Sequence, residues 1–340
     1  MKQLAYILAA TAVIAGCAEQ DKIHADYENI VKDEITFSLV PVVDGSDSEF
    51  AATSIFQAGA YYNAPGCDWT SSSLESNEYF PETSAANSGD LWHLEQTYCW
   101  PSDNGSLTFF GWSLNRDDLS FNPESQTVAG IDRERGVYLE SFDISLDPDA
   151  DFMVADASSD KVLTRSSASV PTVFSSQLSR VELLARTKGD YSASKEIRIN
   201  SVKLTNMAKT ADFQQGECKD GVWSEVDKWT VRSTYDATYG DYTSSPVLIT
   251  AEESALPGGY QLYIPQTLAE EEQMLEVSYT IKDIITGFTE NVTETLSLRS
   301  LVPEGELRAG AQHSISFYIY LEEIYWAPEI VGWETGKVTA

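Results

Sequence analysis

The sequence predicts an all-β fold built from β-sandwiches. Three observations predict it. Apolar residues recur at every second position in several runs, the mark of strands with one buried face. Helical periodicity is scarce. The runs are separated by clusters of Gly, Pro, Asn, Asp and Ser, as in sandwiches and barrels. Tyr, Trp, Thr, Val and Ile are plentiful, and these residues suit a pleated, half-buried surface. With 42% hydrophobic residues the chain can bury substantial cores. Its roughly 320 residues beyond a leader fit two domains of ordinary size.

The first seventeen residues, MKQLAYILAATAVIAGC, set the compartment. Lys2 supplies a basic start, and Leu4 to Ala15 is an apolar run broken only by Thr11. That run falls short of the ~20 residues that a membrane-spanning helix needs. Its proportions fit a secretory signal peptide over residues 1–16. Ile14-Ala15-Gly16-Cys17 resembles the lipobox of bacterial lipoproteins. The resemblance implies that Cys17 becomes the first mature residue and carries acyl chains. Each buried CH₂ adds about 0.8 kcal/mol, so two or more chains anchor a protein stably. Residues 17–30 are polar and read as a tether.

The strands follow in order. In Glu34 to Leu39, Ile35, Phe37 and Leu39 share one face. Around Glu196 to Leu204 the alternation changes phase near Asn200-Ser201, as a bulge would cause. Leu275 to Ile281 alternates cleanly. In Ser314 to Leu321, Ile315, Phe317, Ile319 and Leu321 share a face, and Ser316, Tyr318 and Tyr320 occupy the other, so both faces are expected to be covered. Leu268 to Leu275 is the best helical candidate, at one or two turns. The polar stretch Ala157 to Ser169 suggests a boundary between domains at 31–160 and 161–340. No internal repeat of 20–50 residues appears.

The formal charge is −31, and loss of Lys2 with the leader makes it one unit more negative. Such a chain repels nucleic acid and anionic headgroups. Beyond Cys17 only Cys67, Cys99 and Cys218 remain, an odd number that excludes a full disulfide framework. Cys67 and Cys99 could pair in an oxidising compartment or stay as two thiols.

The sequence lacks recognised catalytic signatures. His24, His93 and His313 lie far apart, and no GxSxG, P-loop, HExxH or GxGxxG occurs. Asp147, Asp149, Asp151 and Asp156 superficially suggest calcium, but the glycine and glutamate of an EF-hand loop are missing. A solvated loop before a strand is the plainer reading. No Cys/His spacing suggests zinc. Neither metal nor cofactor is expected, and the chain reads as a non-enzyme. Trp92, Tyr98, Trp100, Phe109, Phe110 and Trp112 crowd one region. They fit a sandwich core, with a sugar-stacking platform as the alternative.

Several passages together resemble the fimbrillins, lipoprotein pilins of anaerobic diderm bacteria. Trp92 to Trp112, WHLEQTYCWPSDNGSLTFFGW, is similar to the family's N-domain pattern. Asp151 to Ala155, DFMVA, resembles the strand that closes that domain. Val173 to Leu184 resembles the segment opening the second, where many members have histidine in place of Gln177. Ile199 to Asn206, Tyr263 to Leu268, Ala309-Gly310 and Trp333 complete the likeness.

The resemblance implies two tandem Greek-key, transthyretin-like β-sandwiches behind a lipoprotein signal peptide. It implies a cell-surface protein, either an outer-membrane lipoprotein or part of an extracellular fimbrium. Its partners would be other fimbrial subunits joined by strand exchange, the outer membrane through the lipid, and host or bacterial surface ligands. In such pilins a protease removes an N-terminal strand, and a neighbour's C-terminal strand fills the groove. The donor candidates are Ile315, Phe317, Ile319 and Leu321, and the terminal Ile330, Val331 and Trp333. Alternation alone reads both as ordinary strands. The family's arginine cleavage site has no counterpart, because no arginine precedes Arg116; Lys22 and Lys32 are the early basic candidates. Stalk, anchor and tip roles all stay open, as does the alternative of a surface glycan-binding lipoprotein.

Overall fold

The computed structural model describes residues 34–40, 50, 54–163, 169–320 and the backbone of 324–328. Strands dominate these residues. Two single-turn helices, Trp69–Ser72 and Leu298–Leu301, and a short 3₁₀ turn at Ser73–Glu75 complete the regular structure. Leu268 to Leu275 forms no helix. It is a turn, braced by the Ala269 amide donating to Gln273 Oε1, that leads into the strand Met274–Asp283. Leu268 and Leu275 are both buried, and a turn between strands satisfies that as well as a helix face does.

A nine-stranded sheet fills the N-terminal part. Its outermost strands are Ser169–Thr172 and Phe174–Ser176, separated only by Val173. Both edges therefore belong to one continuous stretch of chain, and the sheet curls on itself. Inside it lie Ile35, Phe37, Phe56, Phe80, Trp92, Phe109 and Phe174. Phe37 meets Phe56 and Phe109 edge-on, with centroids 5.4 and 5.7 Å apart. Tilted and edge-on rings are the favoured contacts of aromatic quadrupoles.

The C-terminal part is a sandwich. Ser179–Thr187 and Gln312–Ile319 run parallel in one layer, and Lys195–Lys219 and Met274–Asp283 pair antiparallel in the other. Val181, Leu183, Ile315 and Phe317 pack with Ile197, Val202, Leu275 and Val277 in one apolar core. The expected phase change is present as a register shift between Ile199 and Ser201.

One element ties the two parts together. Lys195–Lys219 and Val222–Asp241 form a long hairpin. Twenty-five residues in a strand reach roughly 80 Å at ~3.3 Å each. Residues up to Met207 serve the C-terminal core, and from Ala208 onward they serve a second core against the curled sheet. Register shifts cluster at this handover, between Leu204 and Met207 and between Ala208 and Thr210. Bulges increase twist and bend a ribbon, which lets one hairpin serve two cores. The hairpin Val128–Asp132 and Gly136–Asp143 joins the far arm, through pairs such as Phe213↔Leu139.

The chain leaves the curled sheet for the last time between Ser176 and Ser179, where the layer of Ser179–Thr187 begins. Ser158–Lys161 pairs with the Ser106–Ser113 strand, and the strands at 169–176 still belong to the N-terminal sheet.

The crowded aromatics belong to the interior. Trp92, Trp100, Phe109, Phe110 and Trp112 are buried, and Tyr98 is half-buried and stacked on Phe80. They offer no open sugar platform. Phe109 points into the curled core while its neighbour Phe110 points into the second core, as strand alternation requires.

Candidate strand-exchange site

The site is built around the first described strand. Thr36–Leu39 lies between two neighbours. Leu91–Leu94 flanks it antiparallel, through Thr36↔His93 and Phe37↔Trp92. Ser169–Thr172 flanks it parallel over all four residues. Backbone bonds extend the insertion at both ends. The Ile35 amide donates to Tyr98 O at 2.8 Å, and the Val40 amide to Thr172 O at 3.0 Å. Glu34 adds a contact to His93 Nδ1 at 3.4 Å. Ile35 and Phe37 fill the curled core at 0% and 2% exposure. Pro171 stands opposite Ser38 in the outer flanking strand, a sheet-edge position where the missing amide costs no ladder bond.

Taking this strand away would leave two facing rows of unpaired N–H and C=O groups and two empty apolar sockets. Such an edge templates the addition of another strand.

The C-terminal strands differ. Gln312–Ile319 is internal to its layer, with Ser179–Thr187 on one side and Ile324–Pro328 on the other. Ile315, Phe317 and Ile319 are at most 2% exposed and close the core of their own sandwich. Ser314 and Ser316 are buried as well, so both faces are covered as expected. Ile324–Pro328 is the edge strand of that layer. Cys17, Lys22, Lys32, Leu321, Ile330, Val331 and Trp333 lie outside the described residues.

Cys67 is exposed in the turn before Trp69–Ser72, and Cys99 is half-buried and bridged to Glu34; no disulfide joins them. Of the histidines, His24 lies outside the described residues, His93 is at the slot, and His313 is buried in the last full strand. His313 Nε2 accepts from the Arg308 amide, and burial together with the Arg308 charge pushes its pKa down to about 4.

The acidic stretch before residue 156 is not a solvated loop throughout. Asp147 is buried and accepts the Asn122 amide at 3.0 Å. Asp151 is buried, receives Arg180 at 2.9 Å and also binds Ser176 Oγ. The two carboxylates are spent on separate partners. Among the described residues no group of three or more His, Cys, Asp or Glu side chains is placed to hold a metal ion.

Sequence reasoning missed the Asp151–Arg180 pair. Its partners stand 29 positions apart, Asp151 in the loop before Met153–Ala155 and Arg180 in Ser179–Thr187, and neither shows in a periodic pattern. It also missed the short helix at Trp69. There Asp68 caps the helix by accepting the Ser71 amide, and Asp160 accepts the Trp69 amide.

Curled sheet, spanning hairpin and sandwich define an all-β protein with the strand Thr36–Leu39 lodged in a slot. The chain belongs to the fimbrillin-like family, whose model matches residues 51–333. In fold it is similar to a fimbrial protein from Bacteroides vulgatus, with a TM-score of 0.58 at 16% identity, covering 88% of this chain and 99% of that one. It is also similar to a candidate cell adhesion protein from Bacteroides uniformis, with a TM-score of 0.50 at 13% identity, covering 89% and 100%. No curated protein sequence matches the chain.

Proposed function

We propose that the chain is a structural subunit of a cell-surface fimbria, joined to its neighbours by donor-strand exchange and supporting adhesion rather than catalysis. The observation that carries this reading is the lodged strand Thr36–Leu39. It occupies a slot between two strands to which it is joined through few residues, and its burial of Ile35 and Phe37 is what a donor strand would reproduce. At ~1.5–3 kcal/mol per buried side chain, these two sockets alone hold several kcal/mol. A neighbour's terminal segment, from the edge strand Ile324–Pro328 through Ile330, Val331 and Trp333, is the proposed donor. The run Ile315, Phe317 and Ile319 is committed to its own core.

The proposed place of the subunit in the fibre rests on where its basic residues lie. Lys22 and Lys32, the candidate processing sites, both precede Glu34, and no Lys or Arg occurs between Lys32 and Arg116. Cleavage at either lysine leaves the plug in the chain. A plugged subunit donates but does not accept. Left uncleaved and held by lipid at Cys17, such a subunit would stop growth at the outer membrane, in the anchoring position. The glycan-binding alternative loses its first motive, because the Trp92–Trp112 aromatics are interior.

A specific protease site placed within residues 41–49 tests the mechanism. After cleavage and removal of the plug peptide, a synthetic peptide of residues 320–340 is expected to restore the melting temperature. The plug peptide, residues 33–41, serves as the positive control. Rescue by the plug peptide alone would show that the slot exists but that the C-terminal segment is not its donor.

A further inference from the structure

A second site lies away from the slot, where the two parts of the molecule meet. A cleft of about 550 Å³ opens between them. Asn115, Ser145, Asp149, Tyr235, Tyr260 and Gln261 are among its lining residues. The buried Asp151–Arg180 pair also lines it. The volume falls in the range of small-molecule sites, roughly 300–1,000 Å³.

Tyr260 is the distinctive residue. It follows the Pro257-Gly258-Gly259 turn, whose glycines take φ of 113° and 65°. That conformation is open to glycine and strained for other residues. Tyr239 pins the turn by donating to Gly259 O, and Tyr242 by donating to Pro257 O. The Arg180 guanidinium sits 4.5 Å from the Tyr260 ring centroid. A ring 47% exposed is thus held in place from beneath. Gln261 is fixed as well, donating to Tyr239 O and accepting from Tyr263.

The chemistry selects among ligand classes. The lining is too rich in amide, hydroxyl and carboxylate groups for an apolar ligand. Arg180 is neutralised by Asp151, Asp149 adds negative charge at the rim, and the chain as a whole carries −31. Anionic ligands are disfavoured. A neutral sugar matches on both counts. Its C–H face stacks on an aromatic ring, and its hydroxyls pair with planar amides and carboxylates. Burial and the Asp143 carboxylate push Tyr235 up to about 12, so it enters as a neutral phenol able to donate.

We propose that this cleft binds a neutral saccharide of about two rings, with Tyr260 as the stacking platform and Asp149, Asn115 and Gln261 as hydroxyl partners. The site is independent of strand exchange, since none of these residues touches the slot.

Saturation-transfer NMR and calorimetry on the full chain test it, with lactose, N,N′-diacetylchitobiose and α-1,2-mannobiose as probes and 3′-sialyllactose as the acidic counterpart. At least one neutral disaccharide is expected to bind, and more tightly than 3′-sialyllactose. Tyr260→Ala should weaken that binding about tenfold, the loss of roughly 1.4 kcal/mol of stacking. Tyr260→Phe should retain it, and both variants should melt with the parent. Failure of all three neutral probes would overturn the proposal. So would tightest binding of 3′-sialyllactose, or equal binding by Tyr260→Ala.

Discussion

Among the described residues, the strands Thr36–Leu39 and Gln312–Ile319, the first and the last with side chains described, are both buried, yet they are held in opposite ways. Thr36–Leu39 contributes four residues to its sheet and two large side chains to its core. Gln312–Ile319 pairs in register with Ser179–Thr187 over eight residues, from Arg180↔Gln312 to Thr187↔Ile319. All eight of its residues are at least partly buried, six of them fully, on both faces. The first strand can leave while most of the curled sheet keeps its neighbours. The last cannot leave without opening the sandwich. If subunits join by strand exchange as proposed, the first strand is the one that a donor would replace. Burial of individual residues does not show this, because Phe37 and Phe317 are both at most 2% exposed.

The largest effect should come from the last strand. Phe317→Ala deletes a ring at 0% exposure in the centre of the sandwich. Such truncations cost about 3–5 kcal/mol. Denaturant unfolding should show that full loss in the C-terminal transition. A loss below 1 kcal/mol would mean that the strand is as replaceable as the first.

Acid should act on the same strand. His313 stands opposite Val181 in the parallel ladder. Its pKa is about 4 in the folded chain against 6.5 ordinarily, chiefly because burial disfavours the charged ring. The neutral form is the folded form. The stabilisation is complete above pH 6.5 and is lost as pH falls toward 4, where the unfolded chain binds a proton that the folded chain refuses. The window amounts to about 3 kcal/mol at 1.36 kcal/mol per unit. Stability measured from pH 7 to pH 4 should decline accordingly, and the His313→Gln variant should flatten that decline. An unchanged slope in the variant would assign the acid sensitivity elsewhere.

Phe37→Ala should cost less in global unfolding than Phe317→Ala, at about 2 kcal/mol, the burial value of one aromatic side chain. The loss cannot exceed the free energy that docks the strand, since the chain can release the strand and keep the rest folded. Amide exchange should therefore speed up at residues 35–40 by tenfold or more, while residues 312–319 stay as protected as before. Equal acceleration in both strands would show that the first strand opens only with the whole molecule.

Much of this contrast was legible in the sequence, and one part was not. Ile35-Thr36-Phe37 and Ser314 to Ile319 alternate visibly, and the bulge near Asn200-Ser201 shows as a break in phase. Alternation reports which face is buried. It does not report which strand lies alongside, and that decides whether a strand is lodged or locked. The slot depends on Thr36 meeting Ser169, 133 positions away, and the cleft on Asp149 and Tyr260 meeting across the joint. The long hairpin was hidden for a related reason. Residues 211–215 alternate in burial like any strand, and nothing local says that their core belongs to the other half of the molecule. The helix at Trp69 escaped notice because a single turn is too short to show a period.

The smallest expected effect concerns whether the lodged strand is also bolted. Cys99 bridges to Glu34, the residue that leads into the strand by way of Ile35. A bond from Cys99 to Cys67 would staple this corner of the sheet and would contribute roughly 3–4 kcal/mol by restricting a loop of that length in the unfolded chain. The structure instead places Cys67 exposed on the turn that follows Phe56–Asn63, with no disulfide to Cys99. Cys67→Ser should then change stability by less than about 0.5 kcal/mol, as substitutions at exposed positions do. Added reductant should leave the melting temperature of the parent unchanged. A drop of several degrees in either experiment would reveal a covalent clamp beside the slot, and release of the plug would then require reduction as well as cleavage.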